Sequence, residues 1–221
     1  MLLFPEVTIQ DFIGPYEVFN KASCFDIFVV AETSGFVAAE GGLEVRAPLG
    51  FNNCPLCDIL FVPGGRGITP LINHDATLTF LQEQGTAAKY ITSVCTGSVL
   101  LASAGLLEGY QATTHWRAME LLQLFGLNAV PERVVVDRNR ITGGGVTSGI
   151  DFGLVLTAMI AGDDVAKRVQ LMLEYNPQPP FQSGSPRSAP AHIVEQVSDG
   201  SQALFDLRKK MIHQRINHIR S

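Results

Sequence analysis

Short, unbroken apolar runs separated by helical stretches constrain this chain more than any other feature. Residues 25–31 (FDIFVVA), 58–62 (DILFV) and Tyr90–Val94 (YITSV) are short enough to be strands and do not alternate polar with apolar residues. A strand with one face in water would alternate, so both faces of these are expected to be covered. Between them, residues 11–19, 69–84, 96–107, 147–161 and 163–175 carry apolar residues at helical spacing, with Gly14-Pro15 expected to disturb the first turns of the earliest helix. That alternation predicts an α/β fold, a doubly wound and mostly parallel sheet flanked by helices. Leu2-Leu3-Phe4, stopped by Pro5, reads as an opening strand, short enough to suggest that residues are missing upstream. Hairpins are expected within 36–48, around Glu40-Gly41-Gly42, and within 133–142, turning at Asp137-Arg138-Asn139. Residues 177–186 read as a loop, and 190 to about 215 as one amphipathic helix. No repeat or linker divides the chain, so residues 1–221 are expected to form one domain, with 177–221 a loop and helical tail packed on it.

Composition narrows the class. Hydrophobic residues make up 46% of the 221 and charged residues 17%, the reverse of a disordered balance. Sixteen Lys and Arg against 21 Asp and Glu give −5, which argues against a general nucleic-acid surface. The apolar runs 98–107 and 153–162 are shorter than the roughly 20 residues that span a bilayer. No charged region precedes an apolar one at the N-terminus, and the four cysteines lack the spacing of a disulfide framework. These features predict a soluble, cytoplasmic protein.

In a doubly wound sheet, ligands bind beyond the carboxyl ends of the strands. Cys95 falls there, where Tyr90–Val94 meets a helix, in the position of a nucleophile elbow. A helix N-terminus beside the sulfur would favour the thiolate; a small core cysteine is the alternative. Gly64-Gly65, after residues 58–62, is either a turn or a place where backbone N–H groups approach a reacting atom. Asp11 reads as a helix cap or as an acid–base group. His115, in Ala112-Thr113-Thr114-His115-Trp116, suggests a Cys–His pair or a packed, hydrogen-bonded histidine, while His74, His192, His213 and His218 read as surface residues. Cys54-Pro55-Leu56-Cys57 lacks a second ligand pair for zinc and precedes a strand rather than opening a helix. Gly143-Gly144-Gly145 lacks dinucleotide-binding spacing, and no phosphate-binding lysine loop occurs. No cofactor and no metal is expected.

Five ordered motifs, residues 11–19 (DFIGPYEVF), 61–65 (FVPGG), 93–98 (SVCTGS), 112–116 (ATTHW) and 142–146 (TGGGV), resemble the DJ-1/PfpI (ThiJ) superfamily, related to class I glutamine amidotransferases. The resemblance covers essentially the whole chain and implies a flavodoxin-like fold. Asp11 stands where the superfamily usually has Glu. With Cys95-Thr96-Gly97, Thr113-Thr114-His115-Trp116 and the segment 175–181 (YNPQPPF), it resembles the isocyanide hydratase branch. Similar segments occur in the amidotransferase-like domains of AraC-type regulators, but no helix-turn-helix pattern follows the core. PfpI-type proteases place His after the nucleophile, and here Thr96 follows it.

The resemblance implies that Cys95 attacks an isocyanide carbon to form a thioimidate, and that water then releases an N-substituted formamide. Asp11 would relay protons, a role typically worth about 10²–10⁴-fold, with its pKa raised by the adjacent thiolate. Backbone N–H groups of Gly65 and Thr96 would steady negative charge, and the Thr96 hydroxyl would contact water. Phe12, Ile13 and Trp116, with His115, would shape the pocket. The implied partners are an isocyanide, water and a second copy of the chain, with neither nucleic acid nor membrane. A helix over 147–161, apolar on nearly every side, fits a homodimer. The other readings are a stress or redox protein built on an oxidation-sensitive Cys95, and amidase, peptidase or glyoxalase-type chemistry.

Overall fold

The computed structural model describes residues 1–220. Its first part runs α1 (Ile9–Ala22), β1 (Val30–Ala31), β2 (Gly35–Ala38), β3 (Glu44–Ala47), β4 (Leu49–Gly50) and β5 (Ile59–Val62). Then come α2 (Ile68–Leu71), α3 (Asp75–Ala87), β6 (Tyr90–Val94), α4 (Gly97–Ser103), β7 (Gln111–Ala112), α5 (Met119–Leu124) and β8 (Asn128–Ala129). The chain continues through β9 (Val134–Asp137), β10 (Arg140–Gly143), α6 (Ser148–Ala161), α7 (Asp163–Met172), α8 (Ala191–Gly200) and α9 (Gln202–Arg220).

The central sheet has the order β5-β6-β10-β9. Strands β5, β6 and β10 are parallel, with Ile59 opposite Tyr90 and Arg140 opposite Ile91; β9 returns antiparallel. The chain's first residues extend this sheet. Leu2 N–H donates to the Phe61 carbonyl at 3.0 Å and Leu3 N–H to the Val30 carbonyl at 2.7 Å, so residues 1–4 run between β5 and β1. Beyond them β1 pairs parallel with β4. Both faces of the sheet are covered, as its apolar strands require. Leu60, Val62 and Ile91 point into a core shared with Ile68, Leu81, Leu100, Leu121 and Ile212. Phe61, Val94 and Ile141 point the other way, onto Val18, Phe152, Leu156 and Val169 of α1, α6 and α7.

The doubly wound architecture and both hairpins match the reading of the sequence; several boundaries do not. Of residues 25–31 only Val30 and Ala31 pair, and Phe28 is 41% exposed. Residues 25–28 instead line a cleft of about 410 Å³ at the amino ends of β5 and β6, away from the strand ends that bear Cys95. The stretch 69–84 is two helices, interrupted at His74, whose extended backbone opens α3 and whose Nδ1 bonds the Thr77 hydroxyl at 2.9 Å. The helix after Cys95 stops at Ser103, because Gly105 takes a left-handed conformation and Leu106 N–H reaches back to the Leu101 carbonyl. Pro15 sits within α1 without interrupting it. The C-terminal amphipathic stretch breaks at Ser201 into α8 and α9. Helix α6 buries Phe152, Gly153 and Leu156 but leaves Met159 40% and Ile160 39% exposed.

Close approach of backbones fixes where α4 leaves the sheet. A Cβ on Gly97 would collide with the Val62 carbonyl oxygen and lie 2.8 Å from that of Pro63. Neither is a flexible side-chain end, so the strand would have to move. Gly97→Ala is therefore expected to lower stability by about 1–3 kcal/mol and to displace Cys95; a denaturant midpoint equal to that of the unaltered protein would refute this.

Candidate active site

The carboxyl ends of β5, β6 and β10 and the start of α1 meet at one edge of the sheet, and Cys95 stands at their centre. Its φ of 54° places it in the left-handed region, uncommon for a residue with a side chain. Four hydrogen bonds hold it there. Cys95 N–H is shared by the carbonyls of Gly143 at 3.0 Å and Gly144 at 2.8 Å. The Cys95 carbonyl accepts from the hydroxyls of Ser98 at 3.0 Å and Thr114 at 2.8 Å. The result is a strand-to-helix elbow, as the sequence suggested, with strain offset by a fully paired peptide.

Asp11, in the first turn of α1, is completely buried. Its Oδ2 accepts from Gly64 N–H at 3.0 Å, while Oδ1 makes no hydrogen bond of good geometry among the described residues. Gly64 must be glycine for this approach: a Cβ there would lie 2.6 Å from Thr96 N and 2.8 Å from Asp11 Oδ2. Burial raises the Asp11 carboxyl to about 7, although the neighbouring Cys95 thiol and Gly64 N–H pull it down. The elevation matches the sequence reading, but its cause is burial rather than an adjacent thiolate. Burial also pushes the Cys95 thiol well above its usual range, and the Asp11 charge pushes it further; Thr96 N–H and Arg208 oppose them. The expectation of a resting thiolate is thus reversed. Cys95 is only 6% exposed and α4 has seven residues, so desolvation outweighs the helix N-terminus.

The flanking groups sort themselves by their hydrogen bonds. Gly65 N–H donates to Thr96 Oγ1 at 3.1 Å, so it holds Thr96 in place rather than facing a reacting atom. The N–H set against the sulfur is that of Thr96. His115 accepts from Arg117 N–H at 3.3 Å through Nδ1, and no hydrogen bond joins it to Cys95 among the described residues. Burial, with the charges of Arg208 and Arg117, lowers its pKa. It is a neutral, packed histidine whose ring lies beside Trp116. Both line a cleft of about 840 Å³ with Thr114, Gly144, Ser148 and Arg187. Phe12 and Ile13 do not line it. Phe12 is 2% exposed within the main core and stacks on Tyr16, while Ile13 is 43% exposed. Consecutive residues on a half-buried helix point in different directions, and Asp11 takes the direction of the site.

One buried residue near the site escaped the sequence reading. Arg208 of α9 donates through Nη2 to the Gly65 carbonyl at 2.6 Å and through Nε to Thr69 Oγ1 at 3.0 Å. Its signal was its place at helical spacing between Phe205 and Ile212, on the apolar stripe of the tail. Among the described residues, no cluster of three or more His, Cys, Asp or Glu is arranged to hold a metal ion.

Comparison with known proteins accords with this geometry. The chain is 43% identical over 210 residues to an isonitrile hydratase of Pseudomonas putida, covering 95% of this chain and 92% of that protein. A crystal structure of a ThiJ/PfpI family protein from Pseudomonas syringae superposes with a TM-score of 0.93 at 40% identity, covering 96% of this chain and 88% of that one. The transcriptional regulator GbdR of Pseudomonas aeruginosa is 30% identical over 177 residues, 78% of this chain but 48% of the regulator. The family model described as DJ-1/PfpI matches residues 1–159, which include the elbow, the diglycine and the buried aspartate alike; the chain belongs to the DJ-1/PfpI family.

Proposed function

We propose that the protein is an isocyanide hydratase in which Cys95 is the nucleophile and Asp11 carries the protons. The observation that bears most weight is a buried carboxyl of raised pKa beside a cysteine held on a strained elbow. The similarity to the isonitrile hydratase of Pseudomonas putida supports the same activity here.

The reaction balances with this pair alone. As the Cys95 sulfur bonds to the terminal carbon of R–N≡C, Asp11 takes the thiol proton and returns it to that carbon. The product is the thioimidate R–N=CH–S–Cys95. Water then adds: its oxygen bonds to the carbon and nitrogen gains a proton, giving R–NH–CH(OH)–S–Cys95. The C–S bond breaks, the hydroxyl proton goes back through Asp11 to sulfur, and R–NH–CHO leaves. One hard addition becomes two easier ones. A carboxyl near neutrality can both accept and donate in such a cycle. Thr96 N–H would stabilise the sulfur as it gains charge, and the Thr96 hydroxyl, anchored by Gly65, would help place the water. The cleft bounded by His115 and Trp116 would receive the R group. The burial of Cys95, only 6% exposed, favours this reading over an oxidation sensor, which needs an accessible thiol.

We further propose that the chain works as one domain, in the cytoplasm, as a homodimer. No helix of the described residues is long and apolar enough to cross a membrane. The exposed apolar residues Met159 and Ile160 of α6, with Leu171 and Met172 of α7, support a partner-covered face.

Four outcomes test these readings. Cys95→Ala should remove turnover of a simple alkyl or aryl isocyanide by orders of magnitude while leaving the circular dichroism spectrum unchanged; an active, folded variant would refute the nucleophile. The plot of kcat/KM against pH should be bell-shaped. Its acidic limb should lie near pH 7, where the pair drops from two protons to one, and its alkaline limb where the last proton is lost. Asp11→Asn should abolish that limb together with most activity. It should also be more stable than the unaltered protein at pH 8, by on the order of 1 kcal/mol or more. The sign follows from the raised folded pKa: Asp11's stabilising contribution is full below pH 4 and disappears as pH rises through about 7. The gain should therefore shrink at pH 5. Finally, light scattering at micromolar concentration should return twice the chain mass; a fully active monomer would remove the interface.

A further inference from the structure

Arg208 is 8% exposed, and among the described residues no carboxylate forms an ion pair with its guanidinium. Its partners are neutral acceptors, the Gly65 carbonyl and the Thr69 hydroxyl. Buried cations are normally paired, because desolvating a charge without a counter-charge is costly. The position of this one supplies a reason. Gly65, which accepts from Arg208, also donates to Thr96, next to Cys95; Gly64, one residue earlier, donates to Asp11. Arg208 therefore grips the loop that positions both members of the reacting pair.

We propose that Arg208 is a positioning residue of the Asp11–Cys95 pair, holding the Gly64-Gly65 loop and providing the counter-charge against which the Cys95 sulfur becomes negative. The buried cation contacts no anion at rest because the counter-charge it serves is transient. Four groups act on it electrostatically. These are Cys95 at the elbow, Glu40 in the turn between β2 and β3, Arg66 in the loop after β5, and His115 beyond β7. Glu40 accepts from Arg66 N–H at 2.7 Å and keeps its negative charge, which acts on Arg208 without an ion-pair contact; Arg66 and His115 supply no negative charge. Cys95 is thus the group whose negative form Arg208 favours, while the same charge disfavours protonation of His115. The family match ends at residue 159, so this cation comes from a segment outside the matched core.

The proposal rests on the hydratase reading for its consequence but not for its test. Iodoacetamide labelling of Cys95, followed by mass spectrometry of its peptide across pH, reports thiol ionisation without any substrate. In Arg208→Met the labelling midpoint should rise by about one pH unit, the lower end of what a nearby opposite charge gives. Below the midpoint, kcat should fall about tenfold with KM unchanged. Arg208→Lys should keep the midpoint, since the charge remains. Phe205→Leu, which loosens α9 but keeps the arginine, should lower the melting temperature without moving the midpoint. An unmoved midpoint in Arg208→Met overturns the proposal, as does a shift in Phe205→Leu equal to that in Arg208→Met. Should Arg208→Met not fold, Arg208→Gln, which keeps hydrogen-bond donors without the charge, decides: a raised midpoint supports the proposal and an unmoved one overturns it. A protein that turns over no isocyanide but shows the Arg208→Met shift would lose the hydratase reading and retain this one. Turnover without the shift gives the converse.

Discussion

Asp11 is a carboxyl group removed from water with a single good hydrogen bond, from Gly64 N–H. Burying a carboxylate in that state is costly, and the molecule responds as physics dictates, by raising the pKa until the proton stays on near neutrality. The surroundings of the site can be understood from that constraint. A fully paired Asp11 would be a permanent anion and a poor acid. A water-exposed one would be a weak base fixed near its ordinary value. Partial satisfaction in an enclosed site leaves it able to do both.

Holding such a group in place requires neighbours that cannot relax onto it. The elbow at Cys95 meets that need through its own saturation. With N–H shared between two carbonyls and its carbonyl capped by two hydroxyls, the peptide has nothing left to offer Asp11. The diglycine works in the opposite sense, bringing one N–H close where any side chain would collide. The polar network around the pair is therefore rigid on three sides, from β6, β5 and α4, and the remaining freedom lies in the proton.

Much of this was legible because it is local. An unbroken apolar run predicts a strand covered on both faces; β6 ends directly before Cys95, and β5 ends two residues before Gly64, at the glycines and the cysteine of the candidate site. Features decided by distant parts of the chain were harder to read. Residues 1–4 resemble a strand fragment, yet they lie inside the sheet because the Phe61 and Val30 carbonyls wait on either side. The run 25–31 is apolar enough for a buried strand, but most of it passes the amino ends of β5 and β6, where only two residues find pairing partners. Phe12 and Ile13 are apolar enough to suggest a pocket wall, but the turn of α1 sends one to the core and the other to the surface. The ionisation of Cys95 was read from its helix alone, whereas its burial depends on the whole of one core face.

Arg208 shows the same distinction from the other side. On a helical wheel it interrupts an apolar stripe, which in isolation resembles a side chain snorkelling from beneath Phe205 and Ile212 to the surface. The fold instead brings that stripe against α2 and the diglycine loop, where the guanidinium meets a carbonyl and a hydroxyl but no acid. A cation placed so is costly unless some state of the protein carries a compensating negative charge nearby. In the proposed reaction the Cys95 sulfur during attack is such a state, and Arg208 acts on it electrostatically. In that proposed reaction, the stabilisation that the resting protein forgoes at Arg208, like that forgone at Asp11, would be recovered in the transition state, which is where binding energy accelerates a reaction.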